Sequence, residues 1–80
     1  MIAQEVTVHI IVEITKTDRR RVTFHHREVT GRQIKEAAGV ELSNDLALKE
    51  HGKLRLITND ETVMIKDGEH FVVLPSGTIS

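Results

Sequence analysis

Residues Val29 to Val40 encode a helix whose start and stop are both marked, and which is too short to stand alone. Thr30 is a good N-cap, and Gln33 three residues later completes a capping box. Val29 before the cap and Ile34 at the fourth helical position form a hydrophobic staple. Gly39 supplies a left-handed stop, and Val40 beyond it can fold back onto Ile34 in a Schellman-type contact. The helix therefore runs to about nine residues, well under the ~12–15 an isolated helix needs in water. Its expected apolar face is Ile34, Ala37 and Ala38. A helix of this kind must lie on a sheet.

The rest of the chain supplies one. From Glu5 to Thr15, Val6, Val8, Ile10, Val12 and Ile14 alternate with Thr7, His9, Ile11, Glu13 and Thr15, the period of a half-buried strand. After polar Lys16-Thr17-Asp18-Arg19, Val22 and Phe24 alternate with Arg21, Thr23 and His25, so the two segments form a hairpin. Without Asn-Gly or Asp-Gly at the tip, its loop should take about four or five residues. Leu46 and Leu48, alternating with Ala47 and Lys49, make a strand before a His51-Gly52 turn. Leu54, Leu56 and Ile57 make a short one after it, and Asn59-Asp60 turns again. Val63, Met64 and Ile65 should tuck under the sheet. Asp67-Gly68 is a tight turn into a final strand, His70 to Leu74, stopped by Pro75.

An opening hairpin, a crossover helix and a final apolar strand are most simply arranged with the first and last strands parallel at the centre. The helix then crosses one face through a right-handed connection. The expected class is α+β, a mixed sheet of four to five strands with one helix across one face, which resembles the β-grasp of ubiquitin. Residues 1–75 read as a single domain and residues 76–80 as a flexible tail.

Several function classes fall away. Absence of cysteine removes disulfides, thiolate zinc sites and a Cys nucleophile. A net charge of −1, with two Phe as the whole aromatic complement, argues against nucleic acid as partner. The apolar runs are too short to span a bilayer, and the start MIAQEV lacks the basic flank of a signal peptide, so the expected location is cytoplasmic and no membrane partner is expected. His25 and His26, as strand neighbours, should leave opposite faces and share no metal; His9, His51 and His70 sit on separate elements. Ser43, Ser76 and Ser80 lack a nucleophile-elbow context and the glycines are isolated, so no enzymatic activity and no metal site are expected. Arg19-Arg20-Arg21 reads as a solvated hairpin tip, with contact to an acidic partner as the functional alternative.

The tail is more informative. Ser76-Gly77-Thr78-Ile79-Ser80 is small and polar. It reads either as ordinary terminal fraying or as an extended segment for a partner enzyme to grip. A glycine carboxylate could enter a narrow channel, and Gly77 is the candidate once Thr78, Ile79 and Ser80 are removed.

Thr30, Gly31, Ile34, Ala38 and Gly39 on the helix, Asp45-Leu46 at the next strand, and Asp60 through Phe71 follow a pattern. That pattern resembles the bacterial multiubiquitin-type ubiquitin-like domains, over everything after the hairpin. The resemblance implies a protein modifier with no cofactor of its own and monomeric when free. Its partners would be an activating enzyme that spends ATP, a conjugating enzyme, a JAB-type metalloprotease and target proteins joined by an isopeptide bond. This chain departs by having Gly77 rather than Gly-Gly, followed by three more residues, and by carrying one domain rather than a string, so this copy is expected to act singly. The Asp67-Gly68 turn also resembles that of the thiamin and molybdopterin sulfur carriers, which implies a C-terminal thiocarboxylate as an alternative. A non-conjugated binding module is a third reading. If Leu46, Leu48, Phe71 and Val73 face the helix, then Ala47, Lys49, His70 and Val72 face solvent on the opposite side, unless they form a buried edge. In ubiquitin that face carries an apolar recognition patch. Here Lys49 replaces its central aliphatic residue, so ordinary ubiquitin receptors should bind poorly.

Overall fold

The hairpin turns through hydroxyl and carbonyl contacts rather than through glycine. In the computed structural model, which describes residues 6–75, β1 (Val8–Glu13) and β2 (Arg19–Phe24) pair antiparallel, Ile10 opposite Val22. The alternating segment was expected to run from Glu5 to Thr15. Its strand stops at Glu13 because the Ile14 and Thr15 N–H groups both donate to Asp18 O, at 2.8 and 3.2 Å. The Thr15 hydroxyl accepts from Asp18 N at 3.0 Å, a side chain standing in for a backbone turn. Residues 1–5 lie outside the described residues.

Arg19, Arg20 and Arg21 therefore do not sit at the tip. They form the first half of β2 itself. His25 and His26 are likewise past the end of β2, exposed in a bend rather than on opposite faces of a strand. Both line one shallow depression with Arg27, Glu28, Val6 and Met64.

Helix α1 (Gly31–Ala38) keeps its expected caps. The Thr30 hydroxyl accepts from Gln33 N at 3.2 Å, and Gln33 Oε1 accepts from Thr30 N at 2.8 Å. Gly39 turns left-handed at φ 74°, with Gly39 N donating to Glu36 O and Val40 N to Lys35 O. The buried face differs from the expected one. Gly31, Ile34, Lys35 and Ala38 are buried, and Ala37 is exposed. At 100° per residue those four span one stripe, and Ala37 lies on its far flank. Lys35 takes the place that composition would give to alanine.

β4 (Asp45–Glu50) and β5 (Lys53–Ile57) form a second hairpin through His51-Gly52, both with positive φ, at 48° and 79°. β7 (Glu69–Leu74) runs parallel to β1 and antiparallel to β4, giving the sheet order β2-β1-β7-β4-β5. The parallel central pair is the arrangement expected from the element order. Two short strands, β3 (Glu28–Thr30) and β6 (Thr62–Met64), pair separately, Val29 opposite Val63. The segment expected to tuck in as a block alternates instead: Val63 and Ile65 are buried and Met64 is 60% exposed.

Core side chains come from every layer: Val8, Ile10 and Val12 from β1, Leu46 and Leu48 from β4, Phe71 and Val73 from β7, and Ile34 from the helix. Phe71, fully buried, stands opposite Val12 on one side and Leu48 on the other. The protein is thus an α+β fold with a mixed five-stranded sheet and one helix across it, the β-grasp arrangement. Among the described residues no helix is long and apolar enough to cross a membrane.

Candidate functional site

With Leu46, Leu48, Phe71 and Val73 committed to the helix side, the opposite parity of β4 and β7 forms an outer face. Its composition follows from register. Ala47 stands opposite Val72 on β7 and Leu56 on β5, and Lys49 stands opposite Leu54. On the other side of β7, His70 stands opposite Ile11 of β1, which in turn faces Arg21 of β2. Two transverse rows result. One reads Arg21, Ile11, His70 and then Lys49 with Leu54; the other reads Arg19, Glu13, Val72, Ala47 and Leu56.

Three of the four surface residues named from sequence are at this surface. Lys49 and His70 are exposed and Val72 is half-buried. Ala47 is a correction, being 0% exposed. It has the outward parity, but its methyl is short, and Val72 and Leu56 on either side close over it. Ala47 is the floor of the patch rather than a contact residue.

Sequence reasoning missed Leu54 and Leu56, which are 52% and 48% exposed. A signal was present. A two-residue turn at His51-Gly52 forces Glu50 opposite Lys53, and counting outward puts Leu54 with Lys49 on the outer face. The patch is therefore aliphatic at its β5 side and around Val72, with the Lys49 ammonium set between. Lys49 makes no ion pair among the described residues.

On the helix side of β5 lies a cleft of about 270 Å³, lined by Lys35, Leu42, Asp45, Leu56 and Asn59 among others. Lys35 Nζ donates to Asn59 Oδ1 at 2.6 Å and to Leu42 O at 3.2 Å. Burial pushes the Lys35 ammonium below its ordinary pKa, and nearby Asp45 pulls it back upward. Its partners make Lys35 a cross-link between α1 and the loops on either side of β4 and β5. Among the described residues, no group of three His, Asp or Glu side chains is placed to hold a metal ion.

Gly77 and Thr78 lie outside the described residues. What is described is the approach to them. β7 is the central strand, its last pair is Leu74 with Asp45, and Pro75 after it is exposed. Proline has no N–H to donate to a ladder, and the described pairing ends at Leu74.

The model of a family described as multiubiquitin matches residues 15–76, from the hairpin turn through the whole helix and every later strand. No curated protein and no solved structure matches the chain.

Proposed function

This chain belongs to the multiubiquitin family, and from that premise we propose that it is a ubiquitin-like protein modifier, activated through its C-terminal segment and transferred to target proteins. The observation that carries the reading is the exit of the chain. The strand leading to the tail is the central one, held on both sides by β1 and β4, and it ends at Leu74, just before Pro75 and three residues before Gly77. A body held rigid up to the residue before its carboxyl segment is what such a substrate has to offer.

The chemistry belongs to partners. A JAB-type metalloprotease hydrolyses the Gly77–Thr78 peptide bond, freeing the Gly77 carboxylate. An activating enzyme joins that carboxylate to the α-phosphate of ATP, releasing pyrophosphate. Its thiolate then displaces AMP to give a thioester, which passes to a conjugating enzyme and finally to a lysine amine on the target, releasing the thiol. This chain has no cysteine, so every thiol in the sequence comes from a partner. The outer face, with Val72, Leu54 and Leu56 around Lys49 and His70, is the docking surface for those partners.

The test is mass spectrometry of the chain after exposure to the cognate protease, activating enzyme and ATP. The expected result is loss of Thr78-Ile79-Ser80, then adducts to target lysines that disappear in Gly77→Ala. An intact mass, or a cut elsewhere with conjugation persisting in Gly77→Ala, overturns the reading. A thiocarboxylate mass in place of adducts would assign the chain to sulfur transfer instead.

A further inference from the structure

We propose that the free edge of β2 is a docking site for an extended acidic peptide of another protein, added to the sheet as a further strand. β2 is the last strand on its side of the sheet. In an antiparallel pair, alternate residues turn both N–H and C=O away from the partner strand. The Ile14 N–H bonds Asp18 O, and Ile14 and Asp18 continue the β1–β2 register, so the alternation from there leaves Arg19, Arg21 and Thr23 with outward backbone groups. Such an edge is a template for strand addition.

Charge selects the occupant. Lys16, Arg19, Arg20, Arg21 and Arg27 against Asp18 give residues 16–27 a net charge of +4, on a chain whose total is −1. Arg20 is already occupied, donating to Ala38 O and pairing with Asp18. Arg19 holds an exposed pair with Glu13 at 3.3 Å. Arg21 has an aliphatic cross-strand neighbour, Ile11, and no carboxylate partner among the described residues. Arg19 and Arg21 stand on the same face two residues apart, so an added strand meets them with two residues of its own at the same spacing. Carboxylates at those two positions, with an uncharged residue between, complement the edge. The opposite edge, β5, is less basic: it carries Lys53 and Arg55, the latter balanced by Glu50 and Glu61, where β2 carries three successive arginines. A nucleic acid would find cations here but no partner for the backbone ladder; Phe71 is buried and Phe24 half-buried, which leaves the imidazoles of His25 and His26 as the exposed rings beside the edge.

The experiment titrates the full isotopically labelled chain with a short capped peptide alternating Glu and Val. Parallel titrations use a Lys/Val peptide and a single-stranded oligonucleotide. The expected result is shifted amide signals at residues 19–23, with slowed amide exchange at Arg19, Arg21 and Thr23 that a charge contact alone would not produce. Binding should weaken about tenfold in Arg21→Glu, a surface change that leaves the thermal midpoint in place, and should weaken further as salt is raised. No binding, shifts centred away from β2, binding without amide protection, or equal binding of the Lys/Val peptide or of the oligonucleotide overturns the proposal. The outcome is independent of whether Gly77 is a conjugation site.

Discussion

Lys35 Nζ lies 2.6 Å from Asn59 Oδ1, in a position where the lysine is only 3% exposed. The Asn59 amide in turn donates to Leu42 O at 3.2 Å, the same carbonyl that Lys35 reaches. A single carbonyl and a single side-chain amide thus tie the helix to two loops. Because burial outweighs Asp45, the folded chain holds the Lys35 proton less tightly than the unfolded chain, where the value is near 10.5. In the window between the depressed pKa and 10.5 the unfolded state binds more protons, so stability should rise with pH there. Below that window both states carry the charge and the cost of burying it is fully present. Urea unfolding across the alkaline range should show this rise in the native chain. Subtracting Lys35→Met, which cannot titrate, should isolate it. At neutral pH, Lys35→Ala should cost about 1–3 kcal/mol by removing the charged donor from half-buried Asn59 Oδ1 and from Leu42 O.

Gly31 sets two rules against each other. Helix propensity says that Gly31→Ala should stabilise α1 by up to ~1 kcal/mol. Packing says the opposite, because a Cβ at that position would come within 2.3 Å of the Thr58 backbone oxygen. That backbone is not free to retreat: Gly31 N donates to Glu61 O and Arg32 N to Asn59 O, so the loop seals the first turn of the helix. Overpacking against fixed backbone costs about 1–3 kcal/mol or more and should win. Thermal unfolding of Gly31→Ala should show a lower midpoint. A raised midpoint would mean the loop yields.

The helix caps were readable from sequence because they close within three to five residues. Thr30 and Gln33, or Lys35 and Val40, need nothing from the rest of the chain. The rotation of the helix was not readable, since what makes Lys35 acceptable inside is an acceptor on Asn59, distant in sequence. Ala47 was misplaced for the same reason. Alternation gives its direction correctly, but its burial depends on Val72 and Leu56, which only the sheet order brings alongside. β3 went unseen because its partner, β6, is supplied from the far side of the β4–β5 hairpin. A hydroxyl-based turn at Thr15 leaves no Asn-Gly signature, so nothing local in the sequence separates the arginine run from the hairpin tip. The central parallel pair, by contrast, followed from element order alone.

The capping box can be apportioned by a double-mutant cycle. Thr30→Ala removes the acceptor for Gln33 N and should cost about 1 kcal/mol. Gln33→Ala removes the acceptor for Thr30 N. Because the two bonds share a geometry, the double variant should lose less than the sum of the singles, measured by denaturant midpoints. Strict additivity would show that each bond forms without the other.

Adjacent residues on β5 give a sharp test of the outer face. Ile57 is 3% exposed and stands opposite Leu46 in the core, whereas Leu56 beside it is 48% exposed and stands over Ala47. Ile57→Ser should therefore cost about 2–5 kcal/mol, through lost transfer energy and a cavity beneath the helix. Leu56→Ser, removing a side chain only half withdrawn from water, should cost about 1 kcal/mol. The proposed docking role reverses the order in an activity readout. With the chain still folded, Leu54→Ser together with Leu56→Ser should suppress formation of the activating-enzyme thioester, because the aliphatic side of the patch is gone while the Gly77 segment is untouched. If that double variant is charged as efficiently as the native chain, the outer face is not where the activating enzyme docks, and Lys49 with its aliphatic surroundings has to be assigned to a later partner in the pathway.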